Sequence, residues 1–353
     1  MAIKHLAGDR IIGTAAERAA LSGSNLTAIP NNSWKILGRT ILTSEADTID
    51  VSTFTAKDNL LIIAHLQDTD GTIHANLRFN SDTGSNYTAR VSTNNTGDWT
   101  NVNQTGMRFG AGTSNTRQFI VSRIKNVANQ EKLVNTTMAY TQDANLYQEE
   151  TASKWTNTSN QITSVQVPNG QGGSFEVGSE VVVFGCDDDE ADSGTDAWAE
   201  LTNKVTTATG SDFTTDAFTA KKYLKFELYA DTEVADMSPD LVFNGNTSGY
   251  ATKHQQNGGS SSAAFTNRWA VGYSGNDNAH IYATGMIINV SDKWKFGIYD
   301  VFSDLEAGNN AIKRWEYVGL WNNTSAQITT MKFGEGTSNT FGAGSFIRVW
   351  GTD

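Results

Sequence analysis

Leu60-Leu61-Ile62-Ile63-Ala64-His65-Leu66 (LLIIAHL) comes back as Leu224-Lys225-Phe226-Glu227-Leu228-Tyr229-Ala230 (LKFELYA), and the way it changes decides the fold. The first, third, fifth and seventh positions stay apolar, while Leu61, Ile63 and His65 give way to Lys, Glu and Tyr. A period of two belongs to a β-strand, whose successive side chains point to opposite faces. The pair reads as a strand with Leu60, Ile62, Ala64 and Leu66 facing a core and His65 facing solvent. Three more pairs behave alike. Val181 and Val183 match Ile347 and Val349 around the variable Val182/Arg348; Leu77 and Phe79 match Leu241 and Phe243 around Arg78/Val242; and Ile124 matches Ile287.

The repetition covers most of the chain. Trp155–Thr163 (WTNTSNQIT) returns as Trp321–Thr329 (WNNTSAQIT), and Phe175, Gly178, Ser179 and Gly185 match Phe341, Gly344, Ser345 and Gly351 at the same offset of 166. An earlier block, with Trp34 against Trp198 and Phe54–Lys57 against Phe218–Lys221, agrees at 164. A period this long is that of whole domains, since solenoid units run only about 20–50 residues. Glycine-, asparagine- and serine-rich turns such as Asn80–Asn86 separate the strands. The expected fold is all-β: two tandem antiparallel β-sandwich domains of jelly-roll or concanavalin-like type from an internal duplication, with an N-terminal arm. The expected boundaries are 1–33 for the arm, 34–186 for copy one, 187–197 for an acidic linker and 198–353 for copy two. The arm is expected to dock on a neighbour. Thr14–Leu21 and Ser303–Ala307 are the short helical candidates, and the paired tryptophans 34/198 and 155/321 read as core or sheet-edge anchors.

The 353 residues carry 26 Lys and Arg against 38 Asp and Glu, a formal charge of −12. That balance argues against nucleic acid as a partner, because phosphate binding rests on clustered cations. No apolar run approaches the ~20 residues of a membrane span, so no membrane insertion is expected, and Met1–Ile12 lacks the apolar stretch of a secretion signal. The single cysteine, Cys186, is expected to be inert at the end of a buried strand.

Comparison of the copies turns up no shared acidic pair: Asp82 falls opposite Asn246 and Asp68 opposite Thr232. No catalytic residue is therefore expected, and the chain is read as not an enzyme. The five histidines are scattered and read as surface residues. Phe109–Thr116 (FGAGTSNT) and Phe333–Thr340 (FGEGTSNT) carry a G-x-G but no following lysine, so they read as glycine turns and not as phosphate loops. No cofactor is expected; the oxygen donors open to a calcium ion are Asp82 with its neighbours and, in the linker, Asp187, Asp188 and Asp189. Trp99, Trp294 and Trp315 have no tryptophan partner in the other copy, and stand in polar surroundings. They are the candidates for contact with a ligand or partner.

Trp34–Thr43 (WKILGRTILT), Asp47–Lys57 (DTIDVSTFTAK), Phe79–Arg90 (FNSDTGSNYTAR) and Gly178–Gly185 (GSEVVVFG) together resemble virion structural proteins of marine tailed viruses, variously tail-fibre-like, capsid-decorating or lectin-like. The resemblance covers nearly all of copy one and, more weakly, copy two. It implies a non-enzymatic protein of the virion surface, made and assembled in the host cytoplasm, whose partners are itself, as a homo-oligomer with a trimer among the arrangements, and other virion proteins such as capsid or tail. The alternative is a carbohydrate-binding adhesin that stacks host-surface glycans on its tryptophans.

Overall fold

The computed structural model describes residues 6–7, 10–11, 34–68, 71–94, 97–112, 116–142, 145–188, 196–231, 238–259, 261–264, 267–273, 280–304, 312–335 and 340–353. Within residues 1–33 a short hairpin pairs β1 (Leu6–Ala7) with β2 (Arg10–Ile11); the rest of the expected arm lies outside the described residues. The first sandwich consists of β3 (Lys35–Ile41), β4 (Thr48–Val51), β5 (Asn59–Gln67), β6 (Asn76–Phe79), β7 (Tyr87–Thr93), β8 (Gly97–Gln104), β9 (Met107–Arg108), β10 (Arg117–Lys125), β11 (Lys132–Gln142), β12 (Asn145–Trp155), β13 (Val165–Pro168) and β14 (Glu180–Cys186). The second repeats the order: β15 (Ala199–Val205), β16 (Asp212–Thr214), β17 (Tyr223–Asp231), β18 (Pro239–Phe243), β19 (Tyr250–Gln256), β20 (Ser262–Ala264), β21 (Trp269–Ala270), β22 (His280–Ile288), β23 (Lys295–Asp304), β24 (Ile312–Trp321), β25 (Met331–Glu335) and β26 (Phe346–Thr352). No helix occurs among the described residues. Ser303, expected to open a helix, instead pairs within β23 with Ile281 and Lys313. Thr14–Leu21 lies outside the described residues.

Each copy is an antiparallel β-sandwich of one large and one small sheet. The large sheet runs β3-β14-β5-β10-β11-β12-β7-β8 and the small one β4-β13-β6-β9; the second copy has the same two orders shifted by twelve strands. The inward side chains predicted from alternation fill the two cores: Leu60, Ile62, Ala64, Leu66, Leu77, Phe79, Val181 and Val183 in the first, and their counterparts in the second. Trp155 and Trp321 are core residues, as their register predicts.

The repeated W-x-N-T-S-x-Q-I-T holds its sequence because it is clamped by side chains. Asn126 donates to the carbonyls of Lys57 and Ile162 and accepts the Ile162 amide at 2.7 Å; Asn289 does the same with Lys221 and Ile328. Asn80 and Asn244, both with positive φ, accept the amides of Thr163 and Ser164 and of Thr329 and Thr330. Buried Lys132 and Lys295 lie near the Trp155 and Trp321 rings and donate to loop carbonyls, among them those of Asn157 and Asn323. Burial holds the Lys295 ammonium down to about 8.

Part of the outward face of the first large sheet is not wet. Leu61, Ile63, Phe119, Val121, Val182 and Phe184 join Tyr223, Ile288, Phe296, Val318 and Leu320 of the second large sheet in a third core. The large sheets pack against each other, and the molecule is four layers deep: small, large, large, small. Fully buried Glu180 is held at this seam by Arg39 of its own sandwich and Lys222 of the other.

The seam corrects the expected solvent face of β5. His65 is 2% exposed. Burial first, then the charges of Lys293, Lys222 and Arg117, bring its pKa down to about 3, so the ring is neutral at ordinary pH. The copy comparison misled because the two sandwiches meet through different parts of the same face. In the duplication register Leu61, Phe119, Val182 and Phe184 correspond to Lys225, Tyr282, Arg348 and Trp350. Conversely Tyr223, Ile288, Phe296 and Leu320 correspond to Asn59, Lys125, Leu133 and Lys154. The contact is staggered, with each sheet overhanging the other.

Candidate functional site

The stagger opens a cleft. Along β10 the outward residues pass from buried Phe119 and Val121 to exposed Arg123 and Lys125, and along β11 from buried Ala139 to exposed Asn135 and Leu133. The sheets leave each other at that end and enclose about 1230 Å³. One wall carries Arg123, Lys125 and Asn135 of the first sheet; the other carries Lys225, Met286 and Trp350 of the second. Trp34 and Trp198 stand at the end where the copies join. The Ala197 amide donates to the Trp34 carbonyl at 2.7 Å, tying the start of copy two to the start of copy one.

Each tryptophan is placed by its strand. Trp350 follows Arg348 and Phe346 on the outward side of β26, while Ile347 and Val349 point into the core. Trp198 packs on Phe184 with ring centres 5.7 Å apart. The Lys225 ammonium sits 5.3 Å from the centre of the Trp350 ring. The cleft therefore offers half-buried indoles beside amide, hydroxyl and cationic groups. Aromatic rings give a planar, weakly hydrated surface and the polar groups fix orientation, which suits a ligand that is apolar on its faces and polar at its rim.

The predicted contact residues lie elsewhere. Trp315 is 3% exposed in the second core, a correction that follows from alternation on β24: its neighbours Arg314 and Glu316 take the outward side. Trp294 packs at the edge of the seam with the Arg117 guanidinium 4.5 Å over its ring, so it fastens one sandwich to the other. Trp99 is exposed on edge strand β8, but Thr100 is the residue of that pair that lines the cleft, and Trp99 points to the other face under Arg108.

The oxygen donors considered for calcium are engaged within the chain. The Asp82 carboxylate accepts from the Gly84 amide, the Asn86 amide group and the Trp155 indole at 2.7 Å. Burial pushes its pKa up, and these hydrogen bonds outweigh it, leaving the carboxyl below its ordinary value. Asp187 binds Lys57 and the Asp58 amide, and Asp188 binds Asn59 and Lys125. Asp189 lies outside the described residues, as does most of the linker. Among the described residues no group of three or more His, Cys, Asp or Glu is arranged to hold a metal ion.

A single buried acidic position recurs in register, and its two copies meet. Glu150 and Glu316 stand at the offset of 166 and meet at the seam with Asp300, around a void of about 70 Å³ bounded by Arg123, Lys225 and Met286 on the cleft side. Burial, then the charge of Glu150, raises the Glu316 carboxyl to about 7 against the pull of Arg314; Glu150 and Asp300 are raised too, chiefly by burial. The void is small and polar, of a size that suits ordered water.

Trp350, like the expected contact residues, lacks a tryptophan counterpart, since Phe184 holds its position in the other copy. Alternation along β26 marks it as outward.

No protein-family model matches the chain, and no curated protein sequence matches it. Among solved structures the chain is similar to domains LG4-5 of the mouse laminin α1 chain, at 8% identity and a TM-score of 0.20 over 91% of each chain. It is also similar to Ail, the attachment invasion locus protein of Yersinia pestis, at 7% identity and a TM-score of 0.12 over 80% of this chain and 99% of that one. Likenesses at these scores carry no argument about function.

Proposed function

We propose that this chain is a non-enzymatic surface subunit that binds an extended saccharide in the cleft between its two sandwiches. The observation that carries this reading is the placement of Trp34, Trp198 and Trp350 around one open cleft. Sugar rings present C–H faces that stack on indole, and hydroxyls that pair with the amides and cations of the walls. The particle surface of a tailed virus, implied by the sequence resemblance, is where such a subunit would act.

A glycan array probed with the full-length chain tests the reading, followed by titration of the strongest hit against Trp350→Ala. The expected outcome is a discrete set of bound glycans and at least about tenfold weaker binding by the variant, or about 1.4 kcal/mol, with an unchanged melting temperature. An array without hits, or binding indifferent to Trp350→Ala, overturns it.

A further inference from the structure

We propose that the edge of the first sandwich holds a second site, a pocket for a single uncharged sugar ring, separate from the cleft. Strand β8 borders both. On its outward side Thr100, opposite Arg90, lines the cleft; on its inward side Asn101, opposite Ala89, lines the pocket. The pocket encloses about 180 Å³, about six times the ~30 Å³ share of a liquid water. Its polar walls are His74, Asn76, Asn101, Gln104, Arg108 and Gln171. Bare backbone keeps the space open: a Cβ on Gly170 would come 2.9 Å from the Asn76 Nδ2, and one on Gly110 2.5 Å from the Gln118 Oε1.

The duplication shows that the fold does not require this pocket. Arg108 stands opposite Asn76 as Ala270 stands opposite Asp240, and Glu149 opposite Thr93 as Trp315 opposite Gln256. Copy two therefore packs this corner with Trp315, and with Trp269 in place of Met107, both buried. Copy one sets a charge pair there. Arg108 donates to Glu149 through Nε at 2.6 Å and Nη2 at 2.8 Å, and the Thr93 hydroxyl donates to the same carboxylate at 2.9 Å. A buried ion pair adds little stability over well-packed apolar groups of similar volume, so the pair is explained by what Arg108 presents. Its guanidinium is fixed between Glu149 and the Trp99 indole, 5.7 Å from the ring centre, and Nη1 is left outside both bonds to the carboxylate.

The chemistry on offer is that of a neutral polyhydroxyl ring. The side chains of His74, Asn101 and Gln171 make no hydrogen bond among the described residues. Burial, then the charge of Arg108, lowers the His74 pKa against the pull of Glu149, so the imidazole is uncharged at neutral pH. Amides and a neutral imidazole both donate and accept, as sugar hydroxyls do. With Arg108 balanced by Glu149, the walls offer no net charge to a carboxylate or phosphate. At the rim Trp99, 38% exposed, gives a surface for the C–H face of a ring.

Saturation-transfer NMR on the full-length chain tests the proposal, with the methyl glycosides of glucose, galactose, mannose and N-acetylglucosamine as probes and glucuronate as the charged comparison. At least one neutral glycoside is expected to bind, and more tightly than glucuronate. The double variant Asn101→Ala, Gln171→Ala is expected to weaken that binding about tenfold or more, through the loss of two hydrogen-bonding side chains, with an unchanged melting temperature. No binding by any of the glycosides overturns the proposal, as do tighter binding of glucuronate and a double variant that binds like the wild type. Trp350→Ala separates the two sites: glycoside binding that persists in it belongs to the pocket. Binding lost with Trp350 and kept in the double variant belongs to the cleft, which overturns the pocket and leaves the cleft reading standing.

Discussion

Trp269 shows how one side chain is made to fit by what two others lack. It stands opposite Leu241, as Met107 stands opposite Leu77 in the first sandwich. A Cβ on Gly297 or Gly319 would collide with its indole; the first sandwich carries Val134 and Ser153 at those positions, under the smaller Met107. Gly319→Ala is expected to cost about 1–3 kcal/mol by overpacking. Adding Trp269→Met should recover most of that loss, giving a double-mutant cycle in urea with a favourable coupling. Glu316 answers to pH. Its folded pKa of about 7 lies above the ordinary carboxylate value, so between the two the folded chain holds a proton that the unfolded chain has released, and stability falls as pH rises through that window. Glu316→Gln should therefore flatten the melting-temperature profile between pH 5 and 7 and raise stability at pH 8. His65 acts in the opposite sense. The unfolded ring takes up a proton below its ordinary 6.5 and the buried ring does not until about 3, so stability falls on acidification, and His65→Leu should remove that slope.

The clamp around Gln161-Ile162-Thr163 explains why this segment recurs almost letter for letter while strand surfaces diverge. An extended stretch outside a ladder must satisfy its backbone by side chains, and Asn126 and Asn289 each make three such bonds. Asn126→Ala should cost about 1–3 kcal/mol by leaving buried groups unpaired, and Asn289→Ala a similar amount. Loss in one sandwich without the other, measured by chemical denaturation, would argue against an equivalent role. The strands were legible because each inward face must stay apolar in both copies: Leu60 and Leu224, Val181 and Ile347, Phe79 and Phe243. The outward faces were not, since the comparison assumes that both copies meet the same surroundings. Leu61 and Ile63 share the side of β5 on which His65 is expected to face solvent, since their counterparts Lys225 and Glu227 are charged. The cleft was missed for the same reason, since a site formed between unlike parts of two copies leaves no matched residues. Trp315 failed on simpler grounds, because polar neighbours in sequence are on the opposite side of a strand.

At the scale of the molecule the third core joins the two sandwiches through their large sheets. The full chain is expected to unfold in a single calorimetric transition, and Ile63→Asp, which buries an unpaired carboxylate in the seam, should split it into two. A split already present in the wild type would show that the seam adds little. In each sandwich the first and last strands of the large sheet lie side by side, β3 with β14 and β15 with β26. A unit whose ends meet at one edge can be copied in the gene without opening a hydrogen-bonded ladder. What it gains with a sister is permission: Leu61, Phe119, Val182 and Phe184 on the outside of a solitary sandwich would have made it sticky. The outer face of the first copy can stay apolar at these positions because the second sandwich keeps it from water.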